Sequence, residues 1–215
     1  QPNHPTDNVK GVTASLLEGL SYGAGDAVLG LNPAIDNVKS TTDILNLFND
    51  VKSRLKIPTQ ICVLSHITTQ LKALKSGAPM DLCFQSIAGS EKALASFGTD
   101  VDMLAEANEL MASKGTSIGP NYMYFETGQG SELSSNSHNG ADQLVMESRC
   151  YGLARHYNPF LVNTVVGFIG PEYIYDTKEL IRAALEDNFC GHMHGLPMGC
   201  DICYTNHMKA DQNDS

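Results

Sequence analysis

The stretch YMYFETGQG, residues 122–130, decides how the chain is to be read. Tyr122 to Phe125 is a short aromatic and apolar run of strand-forming residues, Glu126 closes it, and a glycine-bearing turn follows. A strand that is apolar on both faces belongs in a parallel sheet covered on each side. The Gly- and Ser-rich stretch that comes next, Gly128 to Gly140, reads as a functional loop carried on a rigid element.

Outward from this run the same grammar repeats. Strands are expected at Asp26 to Leu31, Gln60 to His66, Leu82 to Ile87, Tyr122 to Glu126, Val162 to Phe168 and Leu196 to Cys203. Helical spacing joins Val9, Val12, Leu16, Leu17 and Leu20 into one stripe, and Ile44, Leu47, Phe48, Val51 and Leu55 into another. Further helices are predicted over Val101 to Lys114, Asp142 to Tyr157 and Lys178 to Phe189. The second of these stops where Asn158, ahead of Pro159, is biased out of the helical region. No internal repeat, low-complexity linker or domain boundary interrupts the pattern.

Alternating strands and helices imply a parallel sheet, which is either open and doubly wound or closed into a barrel. In an open sheet ligands gather at one switch point, whereas a barrel carries polar groups at the ends of many strands around one mouth. Asn32, His66, Gln85, Glu126 and Asp201 stand at or near the C-terminal ends of otherwise apolar runs, so a barrel is expected. Six strands do not complete the usual eight. The expectation is a single partial (β/α)₈ TIM-barrel domain over residues 1–215, cut at both ends.

Composition narrows the function. A chain of 215 residues, 42% hydrophobic and 18% charged, can bury a sizeable core. The formal net charge of -10 and the absence of Lys/Arg clusters interleaved with aromatics argue against nucleic acid as a partner. No stretch approaches the roughly 20 continuous apolar residues of a membrane span, so a cytoplasmic protein without a membrane partner is expected. Of the six cysteines, Cys62 and Cys83 lie in apolar runs, where a reduced thiol acts as a small hydrophobe.

The motifs GDAVLGLNP (residues 25–33), CVLSHITTQ (62–70), FETGQGS (125–131), YGLARHYNPFLVNTVVGFIGPEY (151–173) and MGCDICYTNH (198–207) resemble those of the ethanolamine ammonia-lyase large subunits, and the likeness covers essentially the whole chain. The resemblance implies a (β/α)₈ barrel that binds ethanolamine in its mouth, with adenosylcobalamin (coenzyme B12) over it, partly held by a small-subunit partner. It implies homo-oligomerisation of the large subunit and a place in an ethanolamine-utilisation bacterial microcompartment. The implied reaction converts ethanolamine to acetaldehyde and ammonia. A 5′-deoxyadenosyl radical takes hydrogen from the carbinol carbon, and the amino group then migrates.

The resemblance assigns Glu126 and Asp201 to catalysis and substrate binding, Gln1 and Asn32 to substrate binding, and Pro33, Gln85 and Ser134 to the cobalamin. The chemistry is apt: ethanolamine is a small cation bearing a hydroxyl, which calls for carboxylates and amides. The blander readings are an ion pair or helix cap for each carboxylate, a turn role for Asn32 before Pro33, and a solvated hydroxyl for Ser134. The family's arginine two residues before the glutamine falls upstream of Gln1. The sequence departs from the family pattern at His138, and at Ala88, where some members carry cysteine.

Two rival readings stand beside the lyase. Cys190, His192, His194, Cys200, Cys203 and His207 crowd together with a C-x-x-C spacing, as in a zinc-dependent TIM-barrel hydrolase. Against zinc, Cys200 and Cys203 would point to opposite faces of a strand. The other rival is a non-catalytic barrel scaffold, in which the strand-end polar residues would have decayed. His66 reads either as a mouth residue or as a satisfied core histidine, with the second favoured.

Overall fold

The computed structural model describes residues 1–25, 27–127, 140–141, 143–166 and 177–202. In chain order its elements are α1 (Val9–Ser21), β1 (Val28–Leu31), α2 (Val38–Leu55), β2 (Gln60–Val63), α3 (Ile67–Lys75), β3 (Cys83–Ile87), α4 (Glu91–Ser96), α5 (Val101–Lys114), β4 (Met123–Thr127), α6 (Gln143–His156), β5 (Leu161–Val166), α7 (Thr177–Met193) and β6 (Met198–Ile202). The chain is α/β with parallel strands and flanking helices. All six expected strands are present. The loop 128–139, the expected strand tails at 167–168 and Cys203 lie outside the described residues.

The boundaries moved where side chains serve the backbone. β2 stops at Val63 rather than His66, because His66 turns out of the strand and caps α3, its Nδ1 accepting from Thr68 N at 3.3 Å. The helix before it, α2, begins at Val38, ahead of its apolar stripe, because Asn37 caps it through Ser40 N. Helix α3 was not expected: Ile67, Leu71 and Leu74 are its buried stripe, but Thr68, Thr69 and Gln70 interrupt the pattern. Gln70 is itself fully buried, donating to Ser65 O and Phe84 O and accepting from Phe84 N. The short α4, capped by Ser90, was also missed.

The chain divides into two compact units. The first comprises Gln1–Gln85 and Leu104–Tyr122, the second Ser86–Met103 and Met123–Ser215. In the first, β1 and β2 pair in parallel, Leu29 opposite Ile61 and Leu31 opposite Val63. Ile44, Leu45 and Phe48 of α2 are fully buried in this unit. Asp81 is also fully buried there. It is ion-paired with Lys52 and accepts from Ile61 N at 3.0 Å and Thr116 Oγ1 at 2.6 Å. A buried carboxylate with three partners ties α2, β2 and the segment after α5 together.

In the second unit β4, β5 and β6 run in that order, all parallel. Glu126 stands opposite Asn163, and Asn163 opposite Gly199. Helix α6 packs on β4 and on α7, and α7 packs on β5 and β6. Val166 meets Ala183 and Ala184 of α7, small residues that let the helix approach the strand. α6 ends as the sequence requires: Asn158, with φ of 45°, takes the left-handed conformation before Pro159.

Candidate functional site

In the first unit the loop after β1 carries Asn32 and Pro33. Asp7, buried and itself at φ 50°, holds this loop: Oδ1 accepts from Ala34 N at 2.8 Å and Oδ2 from Ile35 N at 2.9 Å. Asn32 is exposed, its Nδ2 donating to Gln1 Oε1 at 3.1 Å and its backbone N–H to Asn3 Oδ1 at 3.0 Å. The two amides expected to serve substrate are thus joined to each other. Pro33 is half-buried beside them. Gln85 is buried in β3, and its Oε1 accepts from Ile67 N at 3.2 Å, at the start of α3. Ser134 lies outside the described residues. Pro33 and Gln85 are neutral groups, of a kind compatible with a corrin, whose rim carries amides.

In the second unit the sheet brings Glu126 and Asp201 together. Pleating places Glu126, Asn163 and residue 199 on one face, and Asp201, two residues beyond Gly199, on the same face. Asn163 Nδ2 donates to Asp201 Oδ2 at 2.6 Å. Tyr124, on the same face of β4, donates its hydroxyl to Glu126 Oε1 at 3.1 Å. Burial pushes the Glu126 carboxyl up to about 7. The Asp201 charge adds to that rise, and the Tyr124 hydroxyl and Asn163 amide oppose it. A half-buried carboxyl beside a second carboxylate gains from a bound cation, which relieves both the desolvation and the repulsion. Sequence reasoning named both acids and missed Asn163.

The opposite face of the same strands was missed altogether. Thr127 and Thr164, each one residue beyond Glu126 and Asn163, face α6 and α7. Thr164 Oγ1 donates to Asp187 Oδ2 at 2.9 Å. Glu147 of α6 is fully buried there, its carboxyl pushed up to about 8 by burial and then by the Asp187 charge. The hydroxyls of Tyr151, Thr127 and Thr164 oppose that rise, but neither Glu147 oxygen has a partner in hydrogen-bonding geometry. In sequence Glu147 looks like an ordinary charged helix residue.

His66 is half-buried and serves as the cap of α3. His194 Nε2 lies 3.1 Å from Ser148 Oγ, and its ring stands against Tyr151, a local packing role. Among the described residues no group of three or more His, Cys, Asp or Glu side chains is placed to hold a metal. Cys203 and His207 lie outside them.

A parallel α/β sheet with acidic side chains at the ends of β4 and β6, on either side of β5, defines a class of protein that gathers polar side chains at its strand termini. The chain belongs to the ethanolamine ammonia-lyase large-subunit family, whose model (EutB) matches residues 1–215. It is 56% identical over 213 residues to the ethanolamine ammonia-lyase large subunit of Salmonella typhimurium and 55% identical to that of Escherichia coli K12, in each case over 99% of this chain. The chain spans about half, 47%, of the length of these relatives.

Proposed function

We propose that this chain is the catalytic part of an ammonia-lyase that converts ethanolamine to acetaldehyde and ammonia. The observation that carries the reading is the Glu126–Asn163–Asp201 group, two carboxylates on β4 and β6 that flank the Asn163 amide of β5 on one face of the parallel sheet. Their role is to receive the substrate ammonium, which lowers the cost of ionising Glu126. The Gln1 and Asn32 amides donate to and accept from the substrate hydroxyl. Pro33, Gln85 and Ser134 would hold adenosylcobalamin, which when bound supplies a carbon radical by homolysis of its cobalt–carbon bond. The residues of this chain bind and orient the substrate and keep its charge compensated while the reaction proceeds.

The family name, a large subunit, supports a small-subunit partner, and the alternating parallel architecture supports a (β/α)₈ barrel in the whole protein. Homo-oligomerisation and residence in a cytoplasmic microcompartment belong to the same reading. Among the described residues no helix is long and apolar enough to cross a membrane.

The test is ethanolamine-dependent release of acetaldehyde by the whole large subunit assembled with its small subunit and adenosylcobalamin. Glu126→Gln and Asp201→Asn should each lower kcat/KM by roughly 100-fold or more, as expected for loss of a charge-assisted contact at the reacting centre. Wild-type turnover in both variants would refute the assignment.

A further inference from the structure

The central strand β5 carries a residue to which the proposed function gives no role of its own. Asn163 stands between Glu126 on β4 and Gly199 on β6, and all three face the same side of the sheet. Its side chain is buried, 5% exposed, yet its Nδ2 is spent on the exposed Asp201 carboxylate at 2.6 Å. The same amide stands opposite Glu126 on β4 and favours its ionised form. One neutral side chain with two N–H bonds therefore sits between two acids that repel each other. Only an amide can do this: aspartate would add a third charge, and a hydroxyl has a single proton to give.

The fold makes room for this amide. A Cβ at position 199 would lie 2.7 Å from Asn163 Oδ1. The backbone of Gly199 has no left-handed conformation to explain its glycine, since that conformation is confined to Gly23, Gly25, Gly77, Gly98, Gly140 and Gly195 among the described glycines. The missing side chain is what matters here: it is the notch that accepts the amide oxygen, and the oxygen's position fixes where Nδ2 points.

We infer that Asn163, seated in the notch left by Gly199, is a positioning residue that sets the spacing of the Asp201 and Glu126 carboxylates and thereby the affinity of the site for a small primary ammonium. The inference rests on the proposal that these two carboxylates receive the substrate cation. It adds a residue that acts through the two carboxylates, and it predicts that a methyl group on a neighbouring strand acts through it.

The experiment uses the whole large subunit with its small subunit. Ethanolamine affinity is measured by calorimetry without cobalamin, and kcat and KM across pH with it. Asn163→Ala and Gly199→Ala should each weaken ethanolamine binding roughly ten- to a hundredfold, the range of a hydrogen bond to a charged group. KM should rise more than kcat falls. The acid limb of kcat/KM should move to higher pH, because the lost amide favoured ionised Glu126. The double variant should be no worse than Asn163→Ala, since the tightest contact of a Cβ at 199 is the amide oxygen.

Wild-type affinity and an unmoved acid limb in folded Gly199→Ala would overturn the inference, as would additive losses in the double variant. If Asn163→Ala fails to fold, Asn163→Ser and Gly199→Ala are judged by the same criteria. Wild-type ethanolamine affinity in Asp201→Asn and Glu126→Gln would instead defeat the functional reading on which the inference rests. Loss of binding there with none in the Asn163 and Gly199 variants defeats the inference alone.

Discussion

Replacing Glu147 by glutamine should stabilise the protein at neutral pH, by an amount that grows as pH rises. Glu147 is fully buried between α6, α7 and the sheet, facing Asp187, Tyr151, Thr127 and Thr164, and both of its oxygens lack a hydrogen-bond partner in the described structure. Its carboxyl is pushed from 4.5 up to about 8, so the folded protein holds a proton that the unfolded chain releases above about pH 4.5. Its contribution to stability is fully present below that pH. It is lost as pH rises toward 8, at about 1.4 kcal/mol per unit, on the order of 3–5 kcal/mol in all. Glutamine has the same shape, takes no charge and removes this dependence. The assay is urea unfolding of the wild type and of Glu147→Gln at intervals from pH 5 to pH 8. The difference between the two should widen with pH in favour of the variant. A constant difference, or a variant less stable at pH 8, would refute the claim that Glu147 folds as a protonated acid.

Asp81→Ala should cost about 3–5 kcal/mol in the same unfolding assay, because it leaves Lys52, the buried Ile61 N–H and the Thr116 hydroxyl without their acceptor; a loss under 1 kcal/mol would contradict it. Gly89→Ala places a Cβ 2.3 Å from Met146 O and should lower the unfolding midpoint by several degrees, which thermal melting would detect. Cys83, fully buried with its thiol pushed up to about 12, should resist iodoacetamide at pH 8 in the native protein, whereas exposed Cys200 is alkylated before it, as peptide mass spectrometry would show.

The strands were legible because each is a short apolar run bounded by punctuation, and Glu126 and Asp201 were legible because a charge breaks such a run at its end. What the sequence hides is register. Asn163 reads as one polar residue in LVNTVV, and only the pairing of β5 with β4 and β6 shows that it stands opposite Glu126 and beside Asp201. Gly199 likewise reads as flexibility until the neighbouring amide is placed against it. Helix α3 was hidden because its interior glutamine is buried for a reason that lies on β3: Gln70 completes the hydrogen bonds of Phe84. Its polar side chain breaks the apolar periodicity without being on the surface.

The alternation of the pleat also explains how one sheet can carry two acidic groups of different behaviour. Glu126 and Asn163 face one side of β4 and β5, and their successors Thr127 and Thr164 face the other, toward Glu147 and Asp187. Asp201 is the neighbouring charge that raises Glu126, and Asp187 is the one that raises Glu147. Below about pH 8 Glu147 is neutral, so its replacement by glutamine removes no charge from the helix side, and Glu147→Gln leaves the field at Glu126 as it was. Glu147→Gln should therefore keep the acid limb of kcat/KM near 7, whereas Asp201→Asn should move the Glu126 titration to lower pH by removing the repelling charge. If the two substitutions moved the titration of Glu126 equally, the sheet would not separate the two groups. The assignment of substrate binding to one face would then lose its physical basis.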